Sequence, residues 1–377
     1  MSPLVVALLI CGATARDGAA VGGRVVDDRN ANGVADPGEP GLPGVVVSDG
    51  VELAVTDAAG AYRLPSSTAR TVFVVTPGDR ALSSRFYRPR AAAVDFALAP
   101  AAPAAEWRFA HLSDTHVEPR NAERTRRAFR LARERGAEVA LVSGDLVRDS
   151  LRVDEATARG YFDLYASLAA GSPVPVRSVV GNHDVFGIER HLSLVPATNP
   201  HFGKAMYEET LGPRFYAFNR GRVHFVVLDT IGVDDLWYYG YLDPEQLAWI
   251  RKDLEHVPAG GTVVTVCHIP LRTASLSTGF ETEGPGRTLQ TVNKVTSFRH
   301  VVRNVPDLQE LLKGYRWTLA LQGHMHREER LRLAGEGAER FHTAPTVGQP
   351  EEGLPSVFVV YTVRGDAVDD GTDVPID

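Results

Sequence analysis

The sequence predicts an α/β domain that follows a small all-β domain. A chain of 377 residues suits two domains, at roughly 100–200 residues each. Between residues 21 and 98, short valine-rich runs are separated by Gly, Asp and Pro, a pattern typical of a small β-sandwich. From residue 107 to 365, apolar runs of strand length alternate with helix-like segments, and this alternation indicates an α/β fold.

Composition excludes two broad classes of protein. With 44% hydrophobic and 23% charged residues, the chain has the balance of a globular protein and not of a disordered one. The net charge of −7 argues against a dedicated nucleic-acid binder, which carries a clustered basic face. A phosphorylated small-molecule substrate remains compatible, because bound divalent cations reverse the local field. No pattern in the chain identifies a protein partner.

Residues 1–20 are predicted to form a signal segment that directs export to the periplasm, the cell surface or the medium. The stretch from Pro3 to Cys11 is apolar, and the small residues before Arg16 have the spacing of an A-x-A cleavage site. The apolar run is too short to span a membrane. Because the usual basic region is missing, two alternatives stay open, a loose N-terminal strand and a lipoprotein anchored through Cys11.

The N-terminal domain contains a twelve-residue segment with the pattern of a calcium loop. Gly33 occupies position 6, and acidic or amide residues occupy positions 1, 3, 5, 9 and 12, namely Asp28, Asn30, Asn32, Asp36 and Glu39. The flanking runs read as strands, so the segment is not a helix-loop-helix hand. Together with the following Gly41-Leu42-Pro43-Gly44-Val45, it resembles the calcium-binding β-sandwich modules of bacterial surface proteins. An Asx-rich turn that needs no ion is the alternative.

Local patterns place the remaining elements. Residues 99–106 form an Ala/Pro stretch that predicts a semi-rigid linker. Helices are predicted from Ala122 to Arg135 and from Pro244 to Glu255, the second with Asp243 as its N-cap. The long segments 186–222 and 271–305 are predicted to shape a substrate cleft. A last strand at 357–363 precedes an expected acidic tail, residues 366–377.

Five apolar runs of the second domain each lead directly to side chains that bind metals. These side chains are Asp114 and His116, Asp145, Asn182, His268, and His324 and His326. Ligands of open α/β sheets bind beyond the carboxyl ends of the strands, so the five groups are expected to converge. Residues two apart point to the same side if strand geometry persists, as for Asp114 with His116 and for His324 with His326. Glycines 144, 181 and 323 allow sharp turns beside the ions.

The types of ligand indicate which metals the site takes. Carboxylate, amide oxygen and imidazole together favour Zn, Fe or Mn over Ca or Cu(I). A carboxylate can bridge two ions, and two ions about 3.5–4 Å apart can activate a water and clamp a phosphoryl group. A lone Asp-x-His or Gly-Asp is a weak signal, whereas all five groups in this order, each at a strand end, are a strong one.

This set of motifs resembles the calcineurin-like metallophosphoesterases, a superfamily that includes the purple acid phosphatases. The motifs are Asp114-x-His116, Gly144-Asp145, Gly181-Asn182-His183-Asp184, His268 and Gly323-His324-x-His326. The resemblance implies two packed mixed β-sheets flanked by helices. The β-sandwich before them is then similar to the small N-terminal domains of some exported members. No residue clearly matches the iron-binding tyrosine of the purple acid subgroup.

The same resemblance implies roles for individual residues. Asp114, His116 and His326 would hold one ion, Asn182, His268 and His324 the other, and Asp145 would bridge them. A hydroxide between the ions would attack phosphorus, and His183, oriented by Asp184, would protonate the leaving oxygen. Monoesterase, diesterase and nucleotide pyrophosphatase activities are not separated. A non-catalytic surface-binding or adhesion protein, attached through the β-sandwich, is the competing hypothesis.

Other conspicuous residues are given structural interpretations. Cys267 lies in an apolar run and is predicted to be a buried, unreactive thiol. His111 is predicted to be structural. Loop or surface positions are predicted for His191, His201, His256, His300 and His342. The aromatic cluster Trp237, Tyr238, Tyr239 and Tyr241 either stacks on a substrate base or sugar or, as we favour, packs beside a helix.

Overall fold

The computed structural model describes residues 19–82, 84–101, 104–274, 289–292, 295–335, 337–348 and 356–377. The expected signal segment therefore lies almost wholly outside the described residues, as does part of the predicted cleft segment 271–305. Within the described residues, no helix is both long enough and apolar enough to cross a membrane.

The N-terminal domain is a β-sandwich of two four-stranded sheets, as its sequence predicts. One sheet has the strand order β4-β1-β8-β6 and the other β3-β2-β5-β7. The strands are β1 (Val21–Asp27), β2 (Val46–Ser48), β3 (Leu53–Val55), β4 (Ala61–Leu64), β5 (Thr71–Val75), β6 (Arg80–Leu82), β7 (Tyr87–Pro89) and β8 (Phe96–Pro100). Because β8 extends to Pro100, the start of the predicted linker belongs to this sandwich.

The second domain contains two six-stranded sheets. The first has the order β11-β10-β9-β22-β23, with β24 also paired to β22. The second has the order β12-β13-β16-β19-β21-β20. Their strands are β9 (Glu106–Leu112), β10 (Ala137–Val142), β11 (Val176–Ser178), β22 (Val357–Arg364), β23 (Ala367–Val368), β24 (Thr372–Pro375), β12 (Tyr216–Arg220), β13 (Val223–Val227), β16 (Thr262–Val266), β19 (Arg316–Gln322), β20 (Glu329–Leu331) and β21 (Phe341–Thr343).

Parallel pairing fixes the edge at which the loops gather. Strands β9, β10 and β11 run parallel in the first sheet, and β13, β16, β19 and β21 run parallel in the second. Two hairpins stand apart from the sheets, β14 (Ile231–Asp234) with β15 (Trp237–Gly240), and β17 (Leu289–Val292) with β18 (Val295–Phe298). The carboxyl ends of parallel strands lie at one edge of a sheet, so loops from both sheets can reach one site.

Six α-helices lie in the described part of the chain. They are α1 (Ala122–Glu134), α2 (Glu155–Ala170), α3 (Arg190–Ser193), α4 (Ala205–Leu211), α5 (Pro244–Leu254) and α6 (Val305–Leu312). Helices α1 and α5 match the two predicted helices. The Asp243 carboxylate accepts a hydrogen bond from the Gln246 N–H, so Asp243 is the N-cap of α5, as predicted. Helix α1 buries Ala128, Phe129 and Ala132 in a core cluster that also contains residues of β10.

The two domains share a hydrophobic core. The Phe73 ring of the sandwich lies 5.9 Å from the ring of Trp249 on α5, measured between centroids. The buried Trp249 indole N–H donates to the Ser48 hydroxyl at 2.9 Å. Backbone bonds also cross the boundary, for example from the Asn219 N–H to the Thr76 carbonyl at 2.8 Å. The predicted linker therefore joins two domains that pack directly on each other.

The C-terminal segment is part of the fold and not a free acidic tail, which corrects the sequence interpretation. Strands β23 and β24 both pair antiparallel with β22. The side chains of Val374 and Ile376 are buried. Their apolar contacts and the backbone pairing outweigh the acidic composition of this segment.

Candidate metal centre

The seven predicted ligands come together at the carboxyl ends of five strands. Asp114, Asp145 and Asn182 follow β9, β10 and β11 of the first sheet. His268 and His324 follow β16 and β19 of the second sheet. The side chains of both carboxylates, Asn182 and His268 are almost fully buried. Both sheets therefore contribute to one site at their shared edge.

One group of four side chains can hold a cation. Ligand atoms of Asp114, His116, Asp145 and His326 all lie within 4.8 Å of one another. The Asp114 Oδ1 lies 3.2 Å from His326 Nε2, and His116 Nε2 lies 3.1 Å from the same nitrogen. Two carboxylates and two imidazoles form a donor set that suits a divalent transition metal.

A second group lies beside the first and shares Asp145 with it. Ligand atoms of Asp145, His268 and His324 also lie within 4.8 Å of one another. The His268 Nε2 is 3.2 Å from Asp145 Oδ1 and 3.0 Å from the amide oxygen of Asn182. Because Asp145 belongs to both groups, the arrangement has the form of a dinuclear centre with a shared carboxylate.

The backbone reaches this geometry through left-handed conformations. Eight residues other than glycine have a positive φ in the described chain, and five of them are proposed ligands, Asp114, His116, Asp145, His324 and His326. The side chains of Asp114 and His116 converge because both residues are left-handed, with φ of 50° and 39°, and not because strand geometry continues. Such conformations cost about 1–3 kcal/mol each and concentrate at functional sites.

The three glycines permit close approaches, as the sequence predicts. A Cβ on Gly144 would lie 2.5 Å from His268 Nδ1, and one on Gly181 would lie 2.1 Å from the Asp145 nitrogen. A Cβ on Gly323 would lie 2.1 Å from the Ser113 hydroxyl oxygen. Each glycine therefore leaves room for a ligand or for a group that holds a ligand.

Hydrogen bonds orient the ligands toward the site. The His268 Nδ1 lies 2.8 Å from the Ser143 carbonyl oxygen, so this nitrogen donates to the backbone and Nε2 is the nitrogen that faces the site. The Ser113 hydroxyl donates to Asp114 Oδ2 at 2.5 Å. The other oxygen, Asp114 Oδ1, is buried without a hydrogen-bond partner. A buried carboxylate oxygen of this kind fits a metal ligand, because a cation would satisfy it.

Electrostatics set the protonation of the ligands before a cation binds. Burial raises the pKa of Asp145, but His268 and His183 hold it well below its ordinary value. Burial lowers the pKa of His116 to about 4, with a further contribution from His183. Burial lowers the pKa of His268, but the Asp145 and Asp114 carboxylates outweigh it and raise the value to about 9. Cation binding at His268 would therefore release a proton.

Two sequence profiles of known families match the chain. A sequence profile described as calcineurin-like phosphoesterase matches residues 108–328, more than half of the chain. The chain belongs to the calcineurin-like phosphoesterase family. A second profile, described as the N terminal of calcineurin-like phosphoesterase, matches residues 29–98, which lie in the β-sandwich. No curated protein matches the sequence significantly.

Several solved structures are similar to this calcineurin-like phosphoesterase. A dimetal phosphatase from Danio rerio is 14% identical, with a TM-score of 0.47, over 72% of this chain and 99% of its own. A purple acid phosphatase from yellow lupin is 14% identical, with a TM-score of 0.45, over 86% of this chain and 58% of its own. GAP50 of Plasmodium is 13% identical, with a TM-score of 0.44, over 72% of this chain and 85% of its own. None of these similarities bears on the reaction.

His183 lies at the site, and Asp184 contacts the backbone of the loop that carries it. The Asp184 carboxylate accepts backbone N–H groups from Gly181 at 2.7 Å and from Leu146 at 2.9 Å. It therefore holds the loop that carries His183, and the orientation of His183 by Asp184 stays a prediction that would act through this backbone. The carboxylate that faces His183 Nδ1, at 3.9 Å, belongs to Asp149. Sequence reasoning missed Asp149, although it stands only four positions after Asp145.

His300 is a further residue of the site that sequence reasoning missed. Its Nδ1 lies 2.8 Å from His324 Nε2, and the two rings meet edge to edge with centroids 4.8 Å apart. No motif surrounds it, so the sequence predicts only a loop or surface position. The contact joins positions that are 24 residues apart, and no local pattern carries that information.

The other histidines divide into buried and exposed positions. His111 is fully buried, and its Nε2 lies 2.8 Å from the Ser143 hydroxyl, as expected of a structural residue. His342 is predicted at a loop or surface position, which is wrong, because it is buried on β21 with Nδ1 3.0 Å from the Tyr361 hydroxyl. His191 and His256 are exposed, as predicted, and His201 pairs with Glu209 at the surface.

The structure also places Cys267 and the aromatic cluster. Cys267 is a buried free thiol, and burial raises its pKa, in agreement with the prediction. The aromatic cluster lies on and beside the β14–β15 hairpin, where its rings contact arginines. The Arg299 guanidinium carbon lies 4.3 Å from the Tyr238 ring centroid, and that of Arg303 lies 4.7 Å from Tyr241.

The predicted calcium loop is held by hydrogen bonds among its own groups. The side-chain amides of Asn30 and Asn32 donate to Asp36 Oδ2 at 2.9 and 2.8 Å. Asp28, which is buried, accepts the Gly33 N–H at 2.8 Å. Among the described residues, the acidic groups of this loop do not gather as closely as those of the metal centre. A calcium ion would take the amide oxygens, so the two asparagine side chains would have to turn.

Proposed function

We propose that the protein hydrolyses phosphate esters at a dinuclear metal centre. The observation that carries this proposal is the pair of donor groups that share Asp145. Asp114, His116 and His326 would hold one ion, and Asn182, His268 and His324 the other. The donor types favour Mn, Fe or Zn. When bound, the two cations supply an activated water and the positive charge that stabilises the phosphoryl group during its transfer.

His183 is the proposed acid that protonates the leaving oxygen. Its side chain is 23% exposed, so a substrate can reach it beside the buried ligands. Its ring lies 4.8 Å from that of His116, measured between centroids. Its backbone N–H donates to Asp145 Oδ1 at 2.8 Å, which ties its position to the shared carboxylate. Proton donation at this place would lower the barrier for departure of the leaving group.

An Asp145→Asn variant tests the proposal. Removal of the shared charge is expected to abolish turnover of p-nitrophenyl phosphate and of bis-p-nitrophenyl phosphate, together with tight binding of Mn, Zn or Fe. Asp163→Asn is the matched control, because Asp163 is exposed on α2. Parental turnover in Asp145→Asn would contradict the site assignment. The ratio of the two substrates in the parent separates monoesterase from diesterase activity.

Two further proposals concern the protein outside its metal centre. We propose export, on the small-residue cleavage pattern after Cys11, and N-terminal sequencing of the mature protein tests it. We also propose a calcium site in the loop from Asp28 to Glu39, on its ligand spacing. Terbium binding that disappears in Asp28→Ala is the expected result, and an absence of binding in the parent would refute the site.

A further inference from the structure

We infer that His300 is a positioning residue, which fixes the tautomer and orientation of the metal ligand His324. This inference rests on the proposed dinuclear centre. The ring of His324 presents two nitrogens to two different partners. Its Nδ1 lies 3.2 Å from His268 Nε2, within the second group of ligands. Its Nε2 lies 2.8 Å from His300 Nδ1, on the other side of the ring.

This arrangement determines where the protons are. A neutral imidazole has one N–H, and the nitrogen that binds a metal must keep its lone pair. Since Nδ1 of His324 faces the other ligands, its proton belongs on Nε2, which donates to Nδ1 of His300. His300 then acts as the acceptor and carries its own proton on Nε2. Metal-binding histidines usually donate their second N–H to such a partner.

The ring of His324 is also held from two directions. The His300 ring meets its edge through the hydrogen bond, with an interplanar angle of 29° between the two rings. The Tyr238 ring meets it edge to face at 88°, with centroids 6.1 Å apart, and the Arg299 guanidinium covers Tyr238. The backbone of His324 is left-handed, with a φ of 73°, so no regular element fixes the direction of the side chain. The ring contacts therefore supply that direction.

The His268 ring is held by the same kind of hydrogen bond, with a different acceptor. Its Nδ1 is paired with the Ser143 carbonyl oxygen at 2.8 Å, and its Nε2 faces Asp145 and Asn182. For His324 the acceptor is a side chain and not a backbone carbonyl. A substitution can therefore remove the acceptor of His324 without changing the backbone.

Two variants distinguish the role of His300 as a hydrogen-bond acceptor from the role of its steric bulk. His300→Leu removes the acceptor, whereas His300→Asn keeps an oxygen close to the place of Nδ1. His256→Leu is the matched control, because His256 is exposed and follows α5. Circular dichroism and thermal unfolding establish that each variant is folded.

Metal binding is the decisive measurement. Metal-free full-length protein is titrated with Mn²⁺, and the ions that remain after gel filtration are counted by mass spectrometry. We expect the parent to hold two ions. His300→Leu should bind one of them about 10–100-fold more weakly, the usual effect of losing such a partner, and keep the other. His300→Asn and His256→Leu should stay within a few-fold of the parent.

The outcomes distinguish this inference from the proposed function. If the parent holds no ions, the dinuclear centre itself is wrong. If the parent holds two ions and His300→Leu binds both with parental affinity, His300 does not position His324. If His300→Asn loses as much affinity as His300→Leu, the hydrogen-bond acceptor is not what matters, and the inference fails. In zinc-loaded protein, one slowly exchanging imidazole N–H resonance should disappear in His300→Leu and persist in His300→Asn.

Discussion

A Gly181→Ala substitution tests how tightly the shared carboxylate is packed. Gly181 has φ of −105° and ψ of 177°, an extended conformation that any residue adopts. The alanine therefore meets no backbone strain. Its Cβ would lie 2.1 Å from the nitrogen and 2.3 Å from the Oδ1 of Asp145. The whole effect is steric, and it falls on the residue that both donor groups share.

The size of the effect follows from those distances. Ordinary van der Waals contact begins at 3.4 Å, so the two groups must separate by more than 1 Å. Overpacking of this kind costs about 1–3 kcal/mol of stability. A displacement of about 1 Å in a catalytic group can lower the rate about 100-fold. That loss corresponds to about 2.7 kcal/mol in the activation barrier.

The assay combines kinetics, metal content and thermal unfolding. We expect kcat for p-nitrophenyl phosphate to fall about 100-fold, with weaker retention of Mn²⁺ and a lower melting temperature. Gly160→Ala is the control, since Gly160 is exposed on α2 and its added Cβ would meet nothing within 4 Å. Alanine there should stabilise the helix by about 0.8–1 kcal/mol. A Gly181→Ala enzyme with parental kcat and two retained ions would refute the role given to Asp145.

Three further predictions concern the acid, the domain interface and a helix cap. His183→Asn should lower kcat about 10²–10⁴-fold while the metal content stays parental, and an unchanged kcat would remove His183 as the acid. Trp249→Ala should cost about 3–5 kcal/mol in urea unfolding, with one transition for both domains, whereas two separate transitions would contradict the shared core. Asp243→Ala should cost about 1 kcal/mol at pH 7. Burial raises the pKa of Asp243, but Arg214 and the Gln246 N–H outweigh burial and lower it below the ordinary value of 3.8. The stabilisation by the Asp243 carboxylate is therefore complete above the pKa of the unfolded state, and it is lost as the pH falls through the lower pKa of the folded state. A difference between parent and variant that stayed constant from pH 7 to pH 2 would contradict this reasoning.

The ligand positions could be predicted from the sequence because each motif is local. Asp145 and Asn182 each follow a valine-rich run, three residues after the end of β10 and four after the end of β11. Asp243 and Pro244 likewise marked the first turn of α5. In such cases the residues that determine the local structure are neighbours in the chain, so their spacing in the sequence is sufficient to predict it.

Contacts between distant segments could not be predicted in this way. His300 reaches His324 only because the residues that follow β18 lie beside the loop after β19. The C-terminal strand β24 depends on pairing with β22, which no acidic composition would suggest. The choice of Asp149 over Asp184 as the neighbour of the His183 ring depends on how one loop folds over another. Each of these contacts depends on the packing of separate elements.

Backbone conformation at the ligands links the fold to the site. Asp114, Asp145 and His324 all have φ values in the left-handed region, where residues other than glycine are disfavoured. Short loops cannot hold three such residues by their own propensities, so the strands behind them must fix the loop ends. The parallel strands β9, β10, β16 and β19 do this, because their pairing sets the spacing of the loops that leave them. The chemistry of the ligands is therefore local in sequence, whereas their geometry is a property of the paired sheets.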